Sequence, residues 1–108
     1  MDLLSKKCVP CEGGVDPLKR DKIDEYMQVL DPAWKVVDDL SIKRMFKFKD
    51  FKEAIEFVNK VAKLAESEGH HPDITINYSK VTLELSTHAI GRLSENDFVL
   101  AAKIEPLL

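Results

Sequence analysis

Apolar and polar residues recur along this chain with two different periods. Phe51, Ala54, Ile55, Val58, Val61, Ala62 and Ala65 return every three or four residues, while Lys52, Glu56, Lys60, Lys63 and Glu66 fall largely off that stripe. The spacing predicts an amphipathic helix. Asp50 and Glu53 form a capping-box-like pair at its start, and Gly69 is a natural stop because glycine tolerates the left-handed conformation. Beyond it the period changes to two. Ile74, Ile76 and Tyr78 alternate with Thr75 and Asn77, and Val81, Leu83 and Leu85 alternate with Thr82, Glu84 and Ser86. This predicts a hairpin with Ser79-Lys80 as a two-residue turn and Tyr78 opposite Val81. An earlier pair of strands is predicted around Trp34, Val36 and Val37 and around Ile42, Phe46 and Phe48. Asp38-Asp39 leads into their turn, Arg44 interrupts the apolar parity, and Lys43, Met45 and Lys47 lie opposite.

A first helix is expected from Asp16-Pro17, through Ile23, Met27 and Leu30, to Asp31-Pro32, since the residue before proline leaves the α region. A third opens at Ser94, with Asp97 three residues on, and runs through Phe98, Leu100, Ala101, Ile104 and Leu107. The order α-β-β-α-β-β-α implies an α+β fold: a four-stranded antiparallel sheet with the helices packed on one face. Residues 1–15, with both cysteines and Gly13-Gly14, read as a loose N-terminal arm, and residues 16–108 as a single domain.

Composition narrows the function. A chain of 108 residues, 44% hydrophobic, fits one folded domain. A net charge of −3 lacks the basic excess of a nucleic-acid binder, so Lys43, Arg44, Lys47 and Lys49 read as a solvated strand face. No apolar run reaches the roughly 20 residues of a membrane span. The start, Met1 to Lys7, is too polar for a signal peptide, and two cysteines cannot staple a secreted mini-protein, so a cytoplasmic setting is expected. Cys8 and Cys11 form a C-x-x-C without the strand and helix start of a redox motif or the second ligand pair of a zinc knuckle.

The candidate chemistry lies in three histidines. His70-His71 follow the end of the long helix, and His88 continues the polar parity of Thr82, Glu84 and Ser86. Closing the second hairpin brings all three to one end of the sheet. Histidine exchanges protons near neutrality, with an unperturbed pKa of roughly 6.5, so a cluster can divide the roles of acid and base. A helix C-terminus also favours the charged imidazolium at His70 or His71. Two plainer readings stand beside this one. The histidines could be surface groups without chemistry, or an open three-histidine metal site, although adjacent histidine side chains diverge and no carboxylate-rich motif accompanies them.

The stretch Glu66-Ser67-Glu68-Gly69-His70-His71-Pro72-Asp73, with Tyr78, Lys80-Val81, Ser86-Thr87-His88-Ala89, Leu93-Ser94-Glu95-Asn96-Asp97 and Leu100-Ala101, resembles pterin-4a-carbinolamine dehydratases. Phe46 to Phe51, Phe57-Val58 and the Trp34 strand share the likeness, and Cys8 to Gly14 is similar to the start of many microbial members. The resemblance implies dehydration of 4a-hydroxytetrahydropterins, left by aromatic amino acid hydroxylases, to quinonoid dihydropterin and water. It implies no metal, no cofactor, and a homodimer or homotetramer. It makes His70 and His88 the main acid/base pair, has His71 hold the pterin, and puts Gly69, Ser86, Thr87 and Ala89 at substrate-contact positions. Glu66 and Asp97 match acidic positions near the site; they also read simply as helix-surface charge and a first-turn capping aid. Arg92 stands where the family usually has glycine, and Ser86 where many microbial members have tryptophan. The rival reading is a protein-interaction module, because animal members also act as dimerisation partners of a transcription factor.

Overall fold

Alternating strands with one apolar face need a cover, and the two amphipathic helices supply it. A computed structural model describes residues 3–8 and 17–108. Its elements are α1 (Arg20–Met27), β1 (Lys35–Val37), β2 (Ser41–Lys47), α2 (Phe51–Glu68), β3 (Asp73–Asn77), β4 (Lys80–Leu85) and α3 (Glu95–Ile104), followed by a 3₁₀ turn, Glu105–Leu107. The four strands form one antiparallel sheet in the order β1-β2-β4-β3. On one face Ile42, Phe46, Val81, Leu83 and Leu85 are buried with Ala54, Phe57 and Val61 of α2 and Phe98, Val99 and Ile104 of α3. Lys43, Met45 and Lys47 point to the open face. The expected α+β architecture is therefore present.

Arg44 shares the core-facing side of β2 without breaking it. Its guanidinium lies 4.4 Å from the centre of the Phe46 ring and pairs with Glu105 at 3.0 Å, so the charge is stacked and neutralised under the end of α3. Trp34 meets the same Phe46 ring edge-on at 6.1 Å.

Both capping signatures near the site are present. Asp50 accepts the Glu53 N–H at the start of α2, and Gly69 ends the helix with φ +67°. Ser94 and Asp97 form a reciprocal capping box on α3. The inward stripe of α2 is Ala54, Phe57, Val61 and Ala65, whereas Phe51 and Ala62 are exposed.

Two local expectations need correction. The first helix is shorter than its pattern: Asp16 lies outside the described residues, and Leu18 donates its N–H to the Leu93 carbonyl instead of entering a helix. At the other end Gln28 and Val29 donate to Glu25 and Tyr26, tightening the last turn before Asp31-Pro32. The turn of the second hairpin is Tyr78-Ser79, with Asn77 opposite Lys80 and Ile76 opposite Val81. Tyr78 takes the left-handed conformation, φ +53°, that such a turn requires. The slip moves every partner by two residues and so leaves each side chain on its expected face.

Of the N-terminal arm, residues 3–8 lie against the domain. Leu3 is buried in the core, and Lys6 pairs with Glu95.

Candidate functional site

The left-handed turn at Gly69 reverses the chain as it leaves α2 and sends successive histidines in opposite directions. His70 goes inward and is 5% exposed; His71 goes outward and donates from Nε2 to Glu66 at 2.6 Å, one turn back on the helix surface. This divergence is what adjacent side chains in an extended segment produce.

Inward, His70 meets the start of α3. Its Nε2 lies 2.6 Å from Asp97 Oδ1, while Oδ2 of the same carboxylate accepts the Thr87 hydroxyl at 2.8 Å and the Ser94 backbone N–H at 3.0 Å. Thr87 and Ser94 hydroxyl oxygens are 2.6 Å apart, and Ser94 Oγ accepts the Asn96 N–H at 3.3 Å. Thr87 has one hydroxyl proton and gives it to Asp97, so the Ser94 hydroxyl must donate to Thr87. An ionised carboxylate can only accept, so in this bond the hydrogen is on His70 Nε2. Thr87, Ser94 and Asp97 are fully buried. The cluster ties three segments together: the end of α2, the residue pair beyond β4 and the start of α3.

The loop between β4 and α3 carries His88. Thr87 and Arg92 form an isolated antiparallel bridge, with the N–H groups of Ile90 and Gly91 both directed at the Thr87 carbonyl. The positive φ this tight loop needs falls on Gly91, at +65°, and not on Arg92. An arginine at the usual glycine position is thus accommodated without strain. His88 is exposed, with Nε2 at 3.7 Å from Asp73 Oδ1 at the start of β3. It lines, with Ser86, Ser41, Glu84 and Asp38, a cleft of about 330 Å³ that His70 and His71 do not line.

The residues singled out in the sequence therefore fall into distinct surroundings. His70, Asp97 and Thr87 share the buried network. His88 and Ser86 share the cleft, Ala89 is exposed beside them, and His71 pairs with Glu66 on the surface. Thr87 spends its hydroxyl and both backbone groups within the protein. Ser94 and Asp73 complete the constellation; the sequence marked Ser94 as a helix cap and both as part of the family-like stretches, without giving either a role in the site. Among the described residues no group of three or more His, Cys, Asp or Glu is disposed to hold a metal ion, and no helix is long and apolar enough to cross a membrane.

Beside this network lies a second set of polar contacts. Glu68 is held below the usual carboxylate range by the Lys103 ammonium and then by the Cys8 backbone N–H. Burial, and then Glu68, push the Cys8 thiol up to about 12. Glu95 is also lowered, first by the Tyr26 hydroxyl, which donates to it at 2.6 Å.

Residues 16–107 match the family described as pterin 4 alpha carbinolamine dehydratase. The chain belongs to that family. A candidate pterin-4-alpha-carbinolamine dehydratase from Alkaliphilus metalliredigens is 49% identical over 104 residues, covering 96% of this chain and 94% of its own. Another, from Rubrobacter xylanophilus, is 45% identical over 106 residues and covers 98% of both. A crystal structure from Brucella melitensis, described as a transcriptional coactivator/pterin dehydratase, superposes with a TM-score of 0.80 at 34% identity, covering 85% of this chain and 98% of that one. The carbinolamine dehydratase match includes every residue of the His70–Asp97–Thr87 network and the His88 cleft.

Proposed function

We propose that the protein is a hydro-lyase that converts 4a-hydroxytetrahydropterins to quinonoid dihydropterin and water, with imidazoles as acid and base. The reaction breaks the C4a–O bond and forms a C4a–N5 double bond. The hydroxyl leaves as water only if it gains a proton, and N5 must lose one. The ring is not oxidised or reduced, so the chemistry asks for a positioned acid and base. His70 and His88 are assigned these roles, with His71 holding the pterin. Gly69, Ser86, Ala89 and Glu66 contact the substrate or border it, while the buried Thr87 and Asp97 act from beneath, Asp97 through His70.

The observation that carries this reading is the buried His70–Asp97 hydrogen bond of 2.6 Å inside a sequence that matches the family throughout. A carboxylate on Nε2 sets the orientation of an acid/base imidazole. Thr87, bonded to the same carboxylate, ties in the segment that bears His88. In this reading the substrate comes from an aromatic amino acid hydroxylase, the setting is cytoplasmic, and the chain works as a homodimer or homotetramer.

The test is turnover of chemically generated carbinolamine by His70→Ala and His88→Ala proteins whose circular dichroism matches the parent. Each is expected to lose at least about 100-fold in kcat. Full activity in both would end the acid/base assignment. The Brucella protein is described as a transcriptional coactivator as well as a pterin dehydratase, which supports a second reading, a protein-interaction module. That reading predicts a partner that stays bound to both alanine variants.

A further inference from the structure

We propose that Glu68 is a positioning residue for the His70 imidazole, acting by locking the end of α2 and the N-terminal arm onto α3. The inference rests on the reading that His70 handles a proton in the reaction.

Three observations carry it. First, Glu68 divides its carboxylate between two segments remote in sequence. Oε1 accepts the Cys8 backbone N–H at 2.9 Å, and Oε2 accepts the Lys103 ammonium, also at 2.9 Å. Glu68 and Lys103 side chains are only 10% and 16% exposed, so the contact is shielded from solvent. Second, the arm is attached again to the start of α3. Cys8 Sγ donates to the Asn96 carbonyl at 3.6 Å, and Lys6 reaches Glu95 at 3.3 Å. Third, these attachments border the His70–Asp97 bond at both ends. Glu68 is two residues before His70, and Asn96 immediately precedes Asp97.

The geometry explains why such a lock is needed. Gly69 separates Glu68 from His70 and adopts φ +67° with no atom within 4 Å of where a Cβ would sit. The N–H groups of Gly69 and His70 both return to the Ala65 carbonyl, at 2.9 and 3.3 Å, so the direction of the chain leaving α2 is tied to the helix end and depends on what holds that end. Glu68 holds it through Lys103, whose position on α3 fixes it relative to Asp97, and the arm closes the third side. An imidazole whose acid/base function depends on its direction loses rate when its support loosens, even if it remains present.

The test uses the full-length protein with two readouts. One is hydrogen exchange of the His70 imidazole N–H, which a 2.6 Å bond to a buried carboxylate makes a slowly exchanging, downfield NMR resonance. The other is the separate kcat and KM for carbinolamine. Glu68→Ala is expected to speed exchange about tenfold or more and lower kcat about tenfold, with KM within about twofold. Glu68→Gln keeps an oxygen for the Cys8 N–H and should recover part of both losses. The control is Glu105→Gln, which removes the Arg44 ion pair just beyond the C-terminal end of α3 and should leave exchange and kcat at parental values. If Glu68→Ala does not fold, Cys8→Pro, which deletes the N–H donor, is compared with Cys8→Ala, which keeps it; only the former should speed exchange. Parental exchange in a folded Glu68→Ala or Cys8→Pro protein overturns the proposal. Full turnover by His70→Ala would instead remove the acid/base reading, while the exchange measurement still judges the positioning role of Glu68.

Discussion

Asp97→Ala removes the acceptor of three hydrogen bonds at once, and the structure gives the size of the consequence. The donors are His70 Nε2 at 2.6 Å, the Thr87 hydroxyl at 2.8 Å and the Ser94 N–H at 3.0 Å. Every one belongs to a buried residue, so water does not replace the lost partner without a cavity opening for it. A buried donor left without its acceptor costs about 1–3 kcal/mol. The Thr87 hydroxyl can turn towards Ser94 Oγ, which leaves the His70 and Ser94 N–H groups as the main orphans. The expected loss is therefore about 3–5 kcal/mol, a large part of the 5–15 kcal/mol that holds a typical domain together. Asp97→Asn keeps the volume and one oxygen but turns an N–H₂ towards groups that are themselves donors. It should cost about 2–3 kcal/mol. Urea unfolding followed by circular dichroism measures both. With a slope near 2 kcal/mol per molar, the Asp97→Ala midpoint should fall by roughly 2 M. A loss below about 1 kcal/mol at an unchanged slope would refute the argument, because it would mean the three segments hold their places without this carboxylate.

Other expectations follow from single features. Gly91→Ala and Gly69→Ala should each cost about 1 kcal/mol by urea unfolding, since both positions have positive φ and open space; Arg92→Gly should change stability by less than about 0.5 kcal/mol. Glu68 and Glu95 are held below the usual carboxylate range, so their contribution is complete above the unfolded glutamate value near 4.3 and is lost as pH falls through their lower folded values. The urea midpoint should accordingly drop on acidification below about pH 5, and by less in Glu68→Gln. With its thiol pushed up to about 12, Cys8 in a Cys11→Ser protein should react with iodoacetamide at pH 8 at least about 100-fold more slowly than free cysteine, and at the free rate in denaturant.

What the sequence disclosed and what it concealed divide along physical lines. Features determined within a few residues were legible: Asp50 capping α2, Gly69 stopping it, and Ser94 with Asp97 opening α3. Face assignment was legible too, because the strand period is two, and even the misplaced turn moved partners by an even number. The turn itself was not, since neither Tyr78-Ser79 nor Ser79-Lys80 contains the Asn-Gly signal that marks such positions, and Tyr78 accepts a positive φ without advertising it. The first helix was overextended because its apolar repeat continues to Leu30, which is buried although it lies outside the helix. Burial and helicity are separate demands, and a repeat reports only the first.

The site shows the same division in one residue. Three residues after Ser94, Asp97 satisfies every local requirement of a helix cap, and a capping role accounts fully for its place in the sequence. In the fold it performs that role with Oδ2 while Oδ1 meets His70, 27 residues away in the chain. The two tasks reinforce each other. A carboxylate already fixed by the helix start presents its second oxygen at a set point, so the imidazole is oriented by a group that folding has immobilised for another reason. Thr87 extends the economy: its hydroxyl steadies Oδ2 and ties the segment carrying His88 to the same anchor. The local explanation of Asp97 is true and incomplete, because a second partner brought in by tertiary structure leaves no trace in the spacing of the first.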